Sequence, residues 1–137
     1  MNPLPTPTPT HALTLAHWCI LIAAALPIVC AGIAKAGFKR FDNNNPRDWL
    51  AAQDGFRRRA NAAQGNSWEA FSIFAAAVLT AIQTGAPQDR VDMLAVVFIL
   101  ARVAFIVCYV ADRASIRTIV WTVGLICSLA LFVSSRW

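Results

Sequence analysis

The stretch RRRANAAQGNSWEAFSIF, Arg57 to Phe74, decides how the chain is read. It opens on three consecutive arginines, passes through Asn61, Gln64 and Asn66, and carries Glu69 into a nearly uninterrupted apolar run that ends at Ile82. At about 100° per residue on a helix, Arg59, Asn66 and Glu69 fall within an arc of roughly 80°. One helical face therefore stays polar where the chain turns from water-compatible to greasy. Charged and amide groups that deep in an apolar helix are costly unless they are paired, so they mark either a buried network or a ligand site.

Working outward, the rest of the chain is apolar on both sides of this stretch. Of 137 residues 58% are hydrophobic and only 14% charged, well outside the range of an average soluble domain. The length suits one domain, and the long uncharged runs point to a membrane. The positive balance of +5 needs no nucleic acid to explain it, and none is expected as a partner. Cys19, Cys30, Cys108 and Cys127 all lie inside apolar runs without a CxxC pair. They read as small buried hydrophobes rather than a disulfide framework or a metal site, and no metal is expected.

Four apolar segments are long enough to span, at about 13–34, 58–84, 89–111 and 118–134. The expected fold is an all-α integral membrane protein, an up-down bundle of four helices over 13–137. Residues 1–12, rich in proline and threonine, read as a disordered tail. Residues 35–57 read as a loop in which Asn45 or Asp48 caps a short interfacial helix through Ala52, with Trp49 at headgroup level. Pro27 is expected to kink the first span, and Gly85 with Pro87 to end the second. His17, near the outer end of the first span, reads as a packing or interfacial histidine.

Orientation follows from the basic residues. The loop before Ala60 and the connection after the third span carry nine of the twelve, and the other side only Arg90 and Arg136. Basic loops stay in the cytoplasm. Both termini are therefore expected on the periplasmic side, the loop 35–57 in the cytoplasm, and the protein in the bacterial inner membrane.

A second constellation lies in ARVAFIVCYVADRASIR, Ala101 to Arg117. Arg102, Tyr109 and Arg113 are seven and eleven positions apart, which keeps all three within about 20° of Arg102 on one helix, and Arg117 follows one turn later if that helix continues. Glu69 and Arg102 form the expected ion pair between the second and third spans. A structural pair alone would account for those two. Yet Arg59, Asn66, Arg102, Tyr109 and Arg117 offer more donors than Glu69 can satisfy, and arginine forks match carboxylates.

These two patterns together resemble the MAPEG family, the membrane-associated proteins of eicosanoid and glutathione metabolism, and in particular its small bacterial branch. The second-helix signature reads here as Arg59, Asn66, Glu69, Ala70 and Phe71, and the third-helix signature as Arg102, Phe105, Tyr109 and Arg117. The resemblance implies a homotrimer that binds glutathione as co-substrate between neighbouring subunits near the cytoplasmic face. It implies that the glutathione thiolate attacks a lipophilic small molecule delivered from the membrane lipid. Arg117 would stabilise the thiolate, with Arg113 as the alternate. Asn66, Glu69 and Arg59 would hold the amine and carboxylates of glutathione, and Arg102 and Tyr109 the remainder.

Three positions depart from the catalytic eicosanoid members: Ala62 stands where they carry an arginine, Ala70 where they carry a tyrosine, and Phe105 where tyrosine is usual. Each lost hydrogen bond is worth roughly 0.5–3 kcal/mol. A non-catalytic membrane scaffold that binds lipid or a partner is therefore the second reading beside a glutathione transferase or peroxidase. A small multidrug-type transporter fits less well, because the first span has no acidic residue.

Overall fold

A computed structural model describes residues 12–37 and 40–136, and every regular element among them is helical. The elements are α1 (Leu15–Ala34), α2 (Pro46–Ala51), α3 (Gly55–Gln83), α4 (Gln88–Val110) and α5 (Ala114–Val133), closed by a short 3₁₀ turn, Ser134–Arg136. The segment 1–12 expected to be disordered lies, except for Ala12, outside the described residues, as does Lys39. By length and composition, three helices can cross a membrane: Leu15–Ala34, Gln88–Val110 and Ala114–Arg136. The longest helix, α3, is not one of them. It starts among the arginines and keeps its polar residues for half its 29-residue length.

The α3–α4 pair sits in the middle, with α1 packed against both on one side and α5 packed against both on the other. Small residues line the seams. Ala16, Cys19 and Ala23 of α1 meet Ala77 and Ala81 of α3, and Val91 and Ala95 of α4 complete the layer. Small side chains let helix backbones approach closely, the usual device where lipid supplies no hydrophobic drive between helices. Phe74 and Phe98 stack in the centre with their ring centroids 3.8 Å apart. Nearer the loop 35–54, Cys30, Ala63, Phe105 and Ile106 form a second cluster. Cys19, Cys30 and Cys127 are buried free thiols, packing as apolar residues do.

Helix ends are finished by charged side chains borrowed from neighbouring helices, because orphan backbone groups are expensive away from water. Asp92 of α4 accepts the Ala16 N–H at 2.8 Å, placing a carboxylate at the N-terminus of α1. His17 serves the same end: its Nδ1 accepts the Thr14 N–H at 3.1 Å, a structural use for that ring. Arg90 donates from Nη1 to the Ser134 carbonyl at 2.9 Å, and Arg57 from Nη2 to the Ala36 carbonyl at 2.8 Å. The α2 helix starts at Pro46 after Asn45, as the Asn-Pro pair suggests, although the Asn45 side chain makes no cap bond and instead reaches Asp42 at 3.3 Å. That bond, with the Asn44 N–H at 2.8 Å, holds the Asp42 carboxyl below its ordinary pKa; the Asn44 backbone contact contributes most.

Two connections fix how the site is built. Gly85, at φ +73°, ends α3: its N–H donates to the Ile82 carbonyl and that of Ala86 to the Ala81 carbonyl. The same pair of bonds ends α4, but the left-handed position is Asp112, at φ +61°. The Asp112 N–H reaches the Tyr109 carbonyl, and the Arg113 N–H reaches the Cys108 carbonyl. The third span therefore does not run on through Arg113. Instead α5 begins at Ala114, four residues before the expected start of the last span, and Arg117 belongs to its first turn.

Candidate functional site

Three hollows run end to end along the seam where α3 and α5 face each other over α4. Beside the α4–α5 turn, the outer hollow has about 250 Å³ and is lined by Arg58, Arg59, Ala62, Tyr109, Asp112 and Arg117. A middle hollow of about 210 Å³ shares Tyr109 and Arg117 with it and adds Asn66, Phe105, Thr118 and Trp121. The inner hollow, about 100 Å³, shares Asn66 and Trp121 with the middle one and is walled by Ala70, Ile73, Phe98 and Leu125, with Arg102 and Glu69 as its charged groups. Polar lining thus gives way to apolar lining from the loop end towards the centre of the molecule.

Along α4 the aromatic and cationic side chains form a column. The Arg102 guanidinium lies over the Phe105 ring at 4.1 Å, Phe105 meets Tyr109 edge-on at 5.4 Å, and the Arg117 guanidinium covers the Tyr109 ring at 4.2 Å. Each cation–π contact contributes about 0.5–2 kcal/mol and fixes where the charge sits. Arg117 reaches this column from α5 across the turn, so the two helices deliver the pair. Among the described residues the ion pair found at the site is Arg59 Nη1 with Asp112 Oδ2, at 3.7 Å. Arg117 is not neutralised by it.

The expected direct pair between Glu69 and Arg102 is replaced by a relay. Arg102 Nη2 donates to Asn66 Oδ1 at 2.9 Å and to Ser67 Oγ at 3.3 Å, while Asn66 Nδ2 donates to Glu69 Oε2 at 3.3 Å. Arg102 is 2% exposed, whereas Glu69 is exposed on the surface of α3. An arginine rooted in the core and a carboxylate rooted at the rim leave room for one amide between them, and Asn66 fills it with both ends of its side chain.

Asn66, Tyr109 and Arg117 come together in the middle hollow, and Glu69 and Arg102 join Asn66 in the inner one. Arg59 lines the outer hollow, but its Nε donates to the Val110 carbonyl at 3.0 Å, so part of the guanidinium caps α4. Arg113 lines none of the three. It is exposed at the N-cap of α5, where its carbonyl accepts the Arg117 N–H at 3.0 Å. Phe105, at 3% exposure, packs in the apolar cluster with Cys30 and Ala63, a place where a hydroxyl would need a partner.

Sequence reasoning passed over Arg58, Ser67, Trp121 and Gly124. Arg58 carried a readable signal, since it lies four and eight positions before Ala62 and Asn66 and so on their face, and it brings an exposed guanidinium to the hollow that Ala62 lines. Ser67 and the α5 residues carried none: serine beside an asparagine is commonplace, and Trp121 and Gly124 stand in an apolar run like any other.

Compared with known families, residues 15–137 match the model of the MAPEG family. Among curated proteins, none matches the chain.

Proposed function

The chain belongs to the MAPEG family and is embedded in a membrane by its apolar helices, and from this membership and the seam of hollows we propose that it is a glutathione-dependent transferase or peroxidase acting on lipophilic electrophiles. The observation that carries the reading is Arg117: a guanidinium pinned over Tyr109, without a carboxylate partner among the described residues, facing a polar hollow that opens into an apolar one. Glutathione occupies the outer and middle hollows. Arg58, the uncapped part of Arg59 and Asn66, itself held by Glu69, meet its carboxylates and amine, and Tyr109 orders the middle of the peptide. Its sulfur lies near Arg117. A cation within about 4–6 Å favours a thiolate roughly ten- to thousandfold, and the thiolate is the nucleophile.

In the same reading α3 is the fourth membrane-spanning helix, its first two turns projecting into the cytoplasm. The protein sits in the inner membrane with both termini periplasmic, as the basic residues direct. Three copies assemble so that neighbouring subunits close the hollows, and the electrophile enters from the lipid. One observation favours the scaffold reading instead: Arg59 is partly spent as a cap and Ala62 offers no donor, so the outer hollow is poorer in donors than its arginine count suggests.

Ultraviolet titration of detergent-purified protein with glutathione tests the proposal, because bound thiolate absorbs where the thiol does not. Arg117→Ala should raise the bound thiol's pKa with affinity nearly intact, and Arg58→Ala should weaken binding itself. Wild-type protein without a thiolate signal at millimolar glutathione would leave the scaffold reading in its place.

A further inference from the structure

The inner hollow contains Arg102, which the family resemblance assigned to glutathione but which glutathione seated in the outer and middle hollows leaves unused. Arg102 is 2% exposed, and among the described residues its hydrogen bonds all run through Nη2, to Asn66 and Ser67. A guanidinium has five N–H donors, so three on Nε and Nη1 have no partner. Neither of those nitrogens is sealed inside protein, and Arg102 lines the hollow. Ser128, the one hydroxyl in that lining, already donates to the Gly124 carbonyl at 3.2 Å. What remains is a small, largely apolar chamber with one strong donor set in its wall.

We propose that this chamber is a carbonyl-recognising subsite, in which Arg102 receives the oxygen of a lipophilic α,β-unsaturated ketone or aldehyde. Size sets the first limit. A dry cavity of about 150 Å³ accommodates benzene, so about 100 Å³ takes the carbonyl and a few carbons, with the rest of the molecule leaving through the open side. Charge sets the second. Arg102 is already compensated by Glu69 through Asn66, so a carboxylate would bring a net charge into apolar surroundings whereas a neutral carbonyl would not. An acceptor without formal charge is the ligand that the unused donors fit.

The reaction rests on the glutathione reading above. The thiolate in the middle hollow forms a C–S bond to the β-carbon, the C=C π pair shifts towards the carbonyl, and the oxygen becomes an enolate beside Arg102. The enolate carbon then takes a proton from water, so the net change is addition of S–H across the double bond. Arg102 keeps its protons throughout. A fixed donor beside the oxygen stabilises charge as it develops, and this selects conjugated carbonyls over electrophiles whose leaving group departs elsewhere.

Binding is measured without glutathione, so that its failure is separable from failure of the transferase reading. The probes are acetophenone, α-methylstyrene as its shape-matched hydrocarbon, and benzoate, each equilibrated with detergent-solubilised protein. Acetophenone should be retained roughly 10- to 100-fold better than α-methylstyrene, as expected for a bond from a charged donor, with its infrared carbonyl stretch lowered on binding. Gly124→Leu keeps Arg102 and fills the chamber: a Cβ there lies 3.6 Å from Arg102 Cδ and 3.8 Å from Phe98 Cδ2, ordinary contact, and the added isobutyl group projects further. Acetophenone retention should disappear in that variant. Equal retention of ketone and hydrocarbon, tighter retention of benzoate, or unchanged retention in Gly124→Leu would each overturn the subsite. Ketone binding as stated with no thiolate signal in the glutathione titration would leave the subsite standing and remove the transferase.

Discussion

Replacing Asn66 with alanine should cost far more than neutralising Glu69, and the difference tests how the buried arginine is held. Asn66→Ala removes the 2.9 Å acceptor from a guanidinium that is 2% exposed and leaves its Nη2 with only Ser67 Oγ at 3.3 Å. A hydrogen bond to a charged group is worth about 1.5–3 kcal/mol, and the stranded buried donor adds a desolvation penalty of about 1 kcal/mol or more, so a loss of roughly 3 kcal/mol is expected. Glu69→Gln keeps an oxygen that can accept from Asn66 and loses only the charge on an exposed acceptor at 3.3 Å, for which less than about 1 kcal/mol is appropriate. Equilibrium unfolding in mixed micelles with increasing SDS fraction reads both. A double-mutant cycle should place the coupling of Arg102 with Asn66 well above its coupling with Glu69. If Glu69→Gln instead costs as much as Asn66→Ala, charge attraction through space holds Arg102 and the amide relay is incidental.

Arg59→Ala should lower stability by about 0.5–2 kcal/mol through loss of the cation on the α4 C-terminus, measured by the same unfolding titration, while leaving any bound thiolate's pKa unchanged. Asp92→Asn weakens the acceptor at the N-terminus of α1 and should cost about 1 kcal/mol, visible as faster hydrogen exchange of the Ala16 amide. Asn44→Cys, in the exposed loop before α2, should resist an impermeant maleimide in intact cells and react after lysis; rapid labelling from outside would reverse the proposed topology. Phe105→Tyr introduces a hydroxyl into a site 3% exposed, and should lower the unfolding midpoint rather than strengthen glutathione binding.

Most of the helix map was legible because it follows from length and apolarity. Runs of twenty apolar residues between Pro- and Gly-bearing turns leave little choice, and Gly85 announces the end of α3. The α4–α5 turn was not legible, for a reason of backbone chemistry. Its left-handed residue is Asp112 rather than glycine, and the hydrophilic DRASIR that follows reads equally well as a turn or as more helix. Extrapolating the α4 face through that point put Arg113 in line with Tyr109. In the folded chain the helix reverses there, and Arg117 returns to Tyr109 from the opposite direction. Spacing along a helix showed that Asn66 and Glu69 share a face with Arg59, but not how far each side chain reaches. That is why a direct Glu69–Arg102 pair was expected where an amide intervenes.

The basic residues near the loop do several jobs, and separating them narrows what a ligand can use. Arg57 caps the end of α1 through the Ala36 carbonyl and lies over the Phe56 ring. Lys35 lies over Phe41, and Arg59 divides itself between the Val110 carbonyl and Asp112. Each of these cations is positioned by a helix end or a ring that would be there with or without a ligand, so the lopsided charge is in part the cost of closing helices at a membrane surface. Arg58 and Arg117 differ, because both line the outer hollow and neither forms an ion pair among the described residues. They come from different helices, α3 and α5. An anionic ligand long enough to meet both must therefore cross the seam, and would draw the start of α3 against the first turn of α5. Crosslinking engineered cysteines at Ala62 and Thr118 with a bifunctional maleimide is the way to see it: glutathione sulfonate, anionic at both ends and lacking the thiol that would consume the reagent, should speed bridging between them when Arg58 and Arg117 are present and leave it unchanged when both are alanine.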